Sequence, residues 1–169
     1  KSMVAIGEIG LDYFRNISGK EIQKKCFKEQ LFIAQKINKP VIIHNRNSDK
    51  DMIKVLLKFP DVIGVAHCFS SDLEMANKFL DIGYYISFSG NLTFKNSHLP
   101  MVAKELPLDR ILIETDSPFL SPEPFRGRSN EPGRVRYVAE KLAEVHSIPF
   151  EKIAEITSNN ASKLFNLND

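Results

Sequence analysis

Several apolar runs in this chain finish in residues of the kind that bind metals. Glu8 follows Val4-Ala5-Ile6-Gly7, His44 closes "VIIH", His67 closes "IGVAH", and "ILIETD" carries Glu114 and ends in Asp116. Two neutral imidazoles and two or three carboxylates, brought to one place, form a site for a divalent cation of borderline hardness. A lone histidine after a strand is ordinarily a hydrogen-bonded structural residue. That plainer role is assigned to His98, in the polar stretch "KNSHLP", and to His146. Glu114 reads as a supporting acid, since a buried carboxylate needs a partner. Cys68, beside His67, reads as packing. Ser117 lacks a G-x-S-x-G elbow, which argues against a serine nucleophile.

Strands are needed to hold such residues, and the sequence predicts them at Val4–Glu8, Pro40–His44, Val62–Cys68, Tyr84–Phe88 and Arg110–Glu114. Their starts lie 22 to 36 residues apart, room for a strand, a helix and two loops. The runs are nearly continuous rather than alternating, as in strands buried on both faces. Ser18…Glu21, Ser48…Asp51 and Ser71…Glu74 match the capping-box pattern at helix starts. Ile22, Cys26, Ile33 and Ile37 predict the buried stripe of the first helix, and Met75, Phe79 and Leu80 that of the third, which Gly83 ends. Residues 116–134, rich in Pro, Gly, Ser and Arg, read as a long functional loop. A helix with Val135, Val138, Leu142 and Val145 on one face follows. The tail Pro149–Leu167 reads as two shorter helices.

This alternation implies an α/β fold with a parallel sheet and right-handed crossovers. An open doubly wound sheet and a (β/α)8 barrel both fit it. In either, the C-terminal strand ends share one face, where Glu8, His44, His67 and Asp116 would converge. Composition limits the class. The chain has 169 residues, 43% hydrophobic and 26% charged, with net charge +2, which is globular and too mildly basic to argue by itself for nucleic acid. It contains no eighteen-residue apolar stretch, so no membrane partner is expected. With no signal-like N-terminus and only Cys26 and Cys68, both read as buried thiols, a cytoplasmic location is expected.

Six segments in order, "GEIGLDYFR", "PVIIHNR", "GVAHCFSS", "YYISFSG", "ILIETDSPFL" and "RGRSNEPGRV", resemble the TatD family of metal-dependent deoxyribonucleases across essentially the whole chain. The resemblance implies a TIM-type (β/α)8 barrel of the amidohydrolase-like superfamily. It also implies up to two divalent ions (Zn²⁺, Mg²⁺ or Mn²⁺). Glu8 would bridge them, His44 and His67 would hold one, and Asp116 would hold the other and act as base. The implied reaction is hydrolysis of DNA phosphodiester bonds, exonucleolytic, with metal-activated water as nucleophile. Arg46, placed by a strand, and Arg126, Arg128 and Asn130 in the long loop are the phosphate-binding candidates. Arg134 flanks the same loop motif, and Tyr13 and Phe14 line the barrel mouth.

The family pattern also contains a His-x-His pair on the first strand, and no such pair occurs here. By that layout the present strands are the fourth through eighth, so the sequence is expected to form about the last five βα units of one domain. The Glu8–His44–His67 site is expected to be intact, with a second site that keeps Glu8 and Asp116 binding weakly. Two strand edges would be open to self-association or to a partner chain. Two alternative functions accompany this reading. One is a metal-dependent hydrolase of another ester or amide, such as an aminoacyl bond. The other is a catalytically impaired metal-binding fragment.

Overall fold

The computed structural model describes residues 3–167. Strands β1 (Ile6–Asp12), β2 (Val41–Arg46), β3 (Gly64–Ala66), β4 (Tyr85–Phe88) and β5 (Ile111–Ile113) alternate with helices α1 (Lys20–Lys36), α2 (Asp49–Leu56), α3 (Leu73–Asp81) and α4 (Leu99–Glu105). Helices α5 (Val135–His146) and α6 (Phe150–Phe165) follow β5. All strand pairs are parallel, and the spatial order β1-β2-β3-β4-β5 is the chain order. A doubly wound sheet reverses its strand order at a switch point. The unbroken order is the winding of a barrel, and this five-stranded sheet is open between β1 and β5.

Both faces of the sheet are covered, which is why the strands read as continuous apolar runs. One face contributes Ile9, Leu11, Val41, Ile43, Ile86, Phe88 and Ile111 to the main core with helical residues such as Phe27, Leu31, Met52, Phe79 and Leu142. The other carries Val65, Tyr85 and Leu112, with Ile42, packed against Leu164, Ala161 and Phe165 of α6. No helix among the described residues is long and apolar enough to cross a membrane.

Several local expectations need correction. The inward face of α1 is Phe27, Leu31 and Ala34, whereas Ile22, Ile33 and Ile37 are exposed. Apolar residues surround this helix, so periodicity alone admits either stripe. Cys26, on the same outer side, is exposed, and Cys68 is only partly buried. None of the three capping boxes forms. Helix α1 starts after Gly19 without a side-chain cap. Ser48 precedes α2, but its hydroxyl is shared between the Asn45 Oδ1 and Leu11 carbonyl acceptors and caps no helical amide. The cap of α3 is Asp72, one residue beyond the expected serine, accepting from the Met75 amide at 2.8 Å. Asp72→Ala is therefore expected to cost about 1 kcal/mol, read as a lower urea midpoint at unchanged slope.

The tail is one helix, not two. The polar run 157–160 looks like a break, yet Thr157 donates back to the Ile153 carbonyl. Asn160 uses its amide to satisfy the carbonyls of Leu108 and Ile111, each at 2.8 Å, where β5 begins. These polar side chains fasten α6 to the sheet. The third-helix stripe and its stop match expectation, with Met75 and Phe79 buried and Gly83 at φ +86°.

Candidate metal centre

Glu8 owes its position to an irregularity in β1. Ile6 pairs with Val41 and Ile9 with Ile43, so β1 advances three residues where β2 advances two. The extra residue is a bulge at Gly7-Glu8, the device by which a strand re-aims a side chain. Glu8 thus lies inside β1, which continues to Asp12, and not at the strand end predicted from the apolar run. Gly10 then sits opposite His44 at φ +147°. A Cβ on Gly10 would stand 2.0 Å from the His44 carbonyl oxygen, so only glycine lets the two backbones approach this closely. His67 and Glu114 are held by extensions of the ladders. The His67 amide donates to Ile43 and the Glu114 amide to Phe88, each at 3.0 Å.

The side chains converge. Glu8 Oε1 lies 2.8 Å from His44 Nδ1 and 3.2 Å from His67 Nε2. One donor atom from each of Glu8, His44 and His67 lies within 4.8 Å of the others. Asp116 Oδ1 is 3.9 Å from His67 Nε2, on the flank of this trio. The remaining ring nitrogens are also engaged. His44 Nε2 meets Asp12 Oδ2 at 3.2 Å, and His67 Nδ1 meets Glu114 Oε2 at 2.7 Å. Glu114 also accepts from the Cys68 amide. Each imidazole is thus fixed in orientation by a carboxylate, the supporting arrangement typical of histidine metal ligands.

The electrostatics follow from these contacts. Hydrogen bonds from His44 and then His67 hold Glu8 far below the usual carboxylate range. The Glu8 contact raises His44 against the effect of burial. Burial likewise disfavours the charged form of His67, but Glu114 and Glu8 outweigh it and raise the imidazole to about 10. Asp116 is pushed up, first by burial and then, against the pull of His67, by the carboxylates of Glu114 and Glu8. Burial raises the Cys68 thiol to about 12, so it stays protonated. Four carboxylates, Glu8, Asp12, Glu114 and Asp116, surround two imidazoles. That donor set and its negative excess suit a divalent cation, which would displace the imidazole protons on binding. Glu8, His44 and His67 are the residues placed to hold it.

A cleft of about 450 Å³ opens over the cluster, and its walls include Glu8, His44, His67, Asp116, Arg15 and Arg46. The structure therefore groups Arg46 with Glu8, His44, His67 and Asp116. It does not bring the loop candidates there. Asn130 is buried and donates to the Thr115 and Phe119 carbonyls, holding the 116–134 loop closed. Arg128 is exposed, and its carbonyl accepts from Ser121. Arg126 lines a neighbouring cleft. Phe14 is exposed with Arg46 laid over its ring at 3.9 Å, and Tyr13 donates to Asp51. His98 contacts the Ser71 carbonyl, His146 closes α5, and neither is among the walls of the cleft over the cluster.

Sequence reasoning missed Asp12 and Arg15. Asp12 pairs in register with Arg46 at the end of β1, two residues beyond the His44 partner Gly10, a relation visible only once β1 and β2 are aligned. Glu114→Gln keeps every metal donor but loses the charge that supports His67. Its cation affinity is expected to fall 10- to 100-fold by calorimetric titration with Mn²⁺.

A barrel-wound βα sheet with imidazoles and carboxylates converging within and just beyond its strands defines a metal-binding barrel-type protein. Comparison with known proteins narrows this. The family described as TatD related DNase matches residues 1–166, and the chain belongs to the TatD family. It is 48% identical to the uncharacterized metal-dependent hydrolase YabD of Bacillus subtilis, covering 99% of this chain and 67% of that protein. It is 44% identical to YcfH of Escherichia coli K12, named likewise, over 99% of this chain and 64% of that protein. The chain thus spans about two thirds of the length of these relatives. Among solved structures, YjjV, a TatD homologue of Escherichia coli, superposes with a TM-score of 0.90 at 34% identity, over 96% of this chain and 63% of that one. A TatD family hydrolase of Entamoeba histolytica gives 0.87 at 27% identity over the same shares.

Proposed function

We propose that this chain carries the cation and phosphate sites of a divalent-metal-dependent phosphodiesterase that removes nucleotides from DNA ends. The observation that carries this reading is the placement of Arg15 and Arg46 in the same cleft as the Glu8–His44–His67 cluster and Asp116. A bound divalent cation supplies charge that acidifies water and neutralises phosphoryl oxygens. The residues do the rest. Glu8, His44 and His67 provide the donors, while Asp12 and Glu114 fix the two imidazoles. Arg46, propped on Phe14, and Arg15 take the phosphate, as guanidinium groups do with paired oxygens. Asp116, whose basicity is raised by burial and neighbouring carboxylates, accepts the proton of the attacking water.

The test is release of end nucleotides from single-stranded DNA by the purified chain with Mn²⁺ or Mg²⁺, and its loss in EDTA. Asp116→Asn is expected to lower the rate on the order of a hundredfold or more while leaving oligonucleotide binding in place. Hydrolysis of acyl esters or amides alone would overturn the phosphodiester assignment. Cation binding without any hydrolysis would overturn catalysis by this chain.

A further inference from the structure

The cleft over the Glu8–His44–His67 cluster does not end at its own walls. A second cleft of about 430 Å³ adjoins it and shares Ser70 and Asn91 as lining residues. Its remaining walls include Phe94, Lys95, Asn96, His98 and Arg126. We propose that this second cleft is a subsite for the nucleotides next to the reacting phosphate of a single-stranded DNA substrate. Arg126 on Phe94 serves as the stacking platform, and Lys95 as a phosphate contact. The proposal rests on the phosphodiesterase reading above and adds where the rest of the substrate lies.

The subsite is built by contacts between distant segments. The Gly90–Thr93 turn lies directly under the 116–134 loop, for a Cβ on Gly90 would stand 1.8 Å from the Leu120 carbonyl oxygen. Thr93 Oγ1 donates to the Gly90 carbonyl and accepts from the Glu123 amide at 2.9 Å, fastening loop to turn. Asn91, the shared wall, is held by the Ser89 hydroxyl at 3.0 Å and reaches the Phe69 carbonyl. This fastening sets the Arg126 guanidinium 3.7 Å from the centroid of the Phe94 ring. The pair repeats what Arg46 and Phe14 form beside the first cleft, where the same distance is 3.9 Å.

The chemistry selects the ligand. Neither Lys95 nor Arg126 has an ion-pair partner among the described residues, and both are exposed. Glu123 is the one carboxylate of that lining. Unpaired cations beside an aromatic ring, arranged along a groove, suit a chain that alternates phosphates with flat bases. Bases stack on arginine planes and aromatic rings, while cations follow the backbone. An acidic peptide would satisfy the cations and leave the platform without a role.

The test compares thymidine 5′-monophosphate with a phosphorothioate-linked tetrathymidylate, which resists hydrolysis, in calorimetric titrations of the Mn²⁺-loaded chain. The tetramer is expected to bind about tenfold or more tightly, and Phe94→Ala and Lys95→Glu are each expected to lose most of that gain while monophosphate affinity stays unchanged. Lys95 is exposed, so its variant keeps the fold. Equal affinity for the two ligands in the wild type, or parallel weakening of both in the variants, would overturn the subsite and leave the phosphodiesterase reading standing. Polyglutamate competing as well as the tetramer would also overturn it. Binding of neither nucleotide would remove the reading on which it rests and the subsite with it.

Discussion

Gly10→Ala is expected to destabilise the protein by roughly 4 kcal/mol and to lose high-affinity cation binding together with that stability. The added methyl would meet the oxygen, carbon and nitrogen of the His44 backbone at 2.0, 2.9 and 3.0 Å. These are backbone atoms in the middle of a strand pair and cannot swing aside as the end of a side chain does. The backbone at Gly10 also has a positive φ of 147°, which side-chain-bearing residues rarely adopt. Relief therefore requires β1 and β2 to separate, and that separation carries Glu8 away from His44. Urea unfolding and Mn²⁺ titration of the same preparation check both halves. A variant with the wild-type midpoint and wild-type affinity would refute the close approach of the two strands.

Glu8→Ala is expected to weaken Mn²⁺ and Zn²⁺ binding by more than the 10- to 100-fold typical of losing a supporting residue. Glu8 Oε1 is the atom common to the His44 and His67 contacts, so its removal takes away one donor and the charge between the two imidazoles. The fold should survive, because the Glu8 side chain is 46% exposed and contributes nothing to either core cluster. Circular dichroism confirms the fold, and calorimetry reads the affinity. The order expected is wild type, then Glu114→Gln, then Glu8→Ala. Retained affinity in Glu8→Ala would show that the cation is held elsewhere.

These two positions illustrate how differently residues disclose their roles. Glu8 and His44 are legible as candidate ligands because each follows an apolar run, a local pattern. The requirement for glycine at position 10 is not, because it arises from His44, whose separation along the chain says nothing of contact. Asp12 is a similar case, and Glu114, legible as a supporting acid, discloses its partner only in the fold. Each supports a histidine on another strand, and the pairing depends on strand register. Arg46 lies in β2 two residues past His44, and the strand carries it to the wall of the same cleft. Arg126 and Asn130 belong to a loop whose course is set by its own hydrogen bonds and by its contact with the Gly90–Thr93 turn, so proximity to the loop motif could not locate them.

By itself the sequence determined the alternation of strands and helices, the parallel sheet, the family and the set of candidate ligands. Those properties rest on the period and length of apolar runs and on ordered motifs, all of them local. Only the tertiary structure decided which face of α1 is buried, that Asp72 and not Ser71 caps α3, and that the tail forms one helix fastened by Asn160. It alone showed that a bulge aims Glu8 between two imidazoles and that a second, cationic cleft continues the first. Each of these depends on which distant segment packs opposite, and a residue's neighbours along the chain do not specify its neighbours across the sheet.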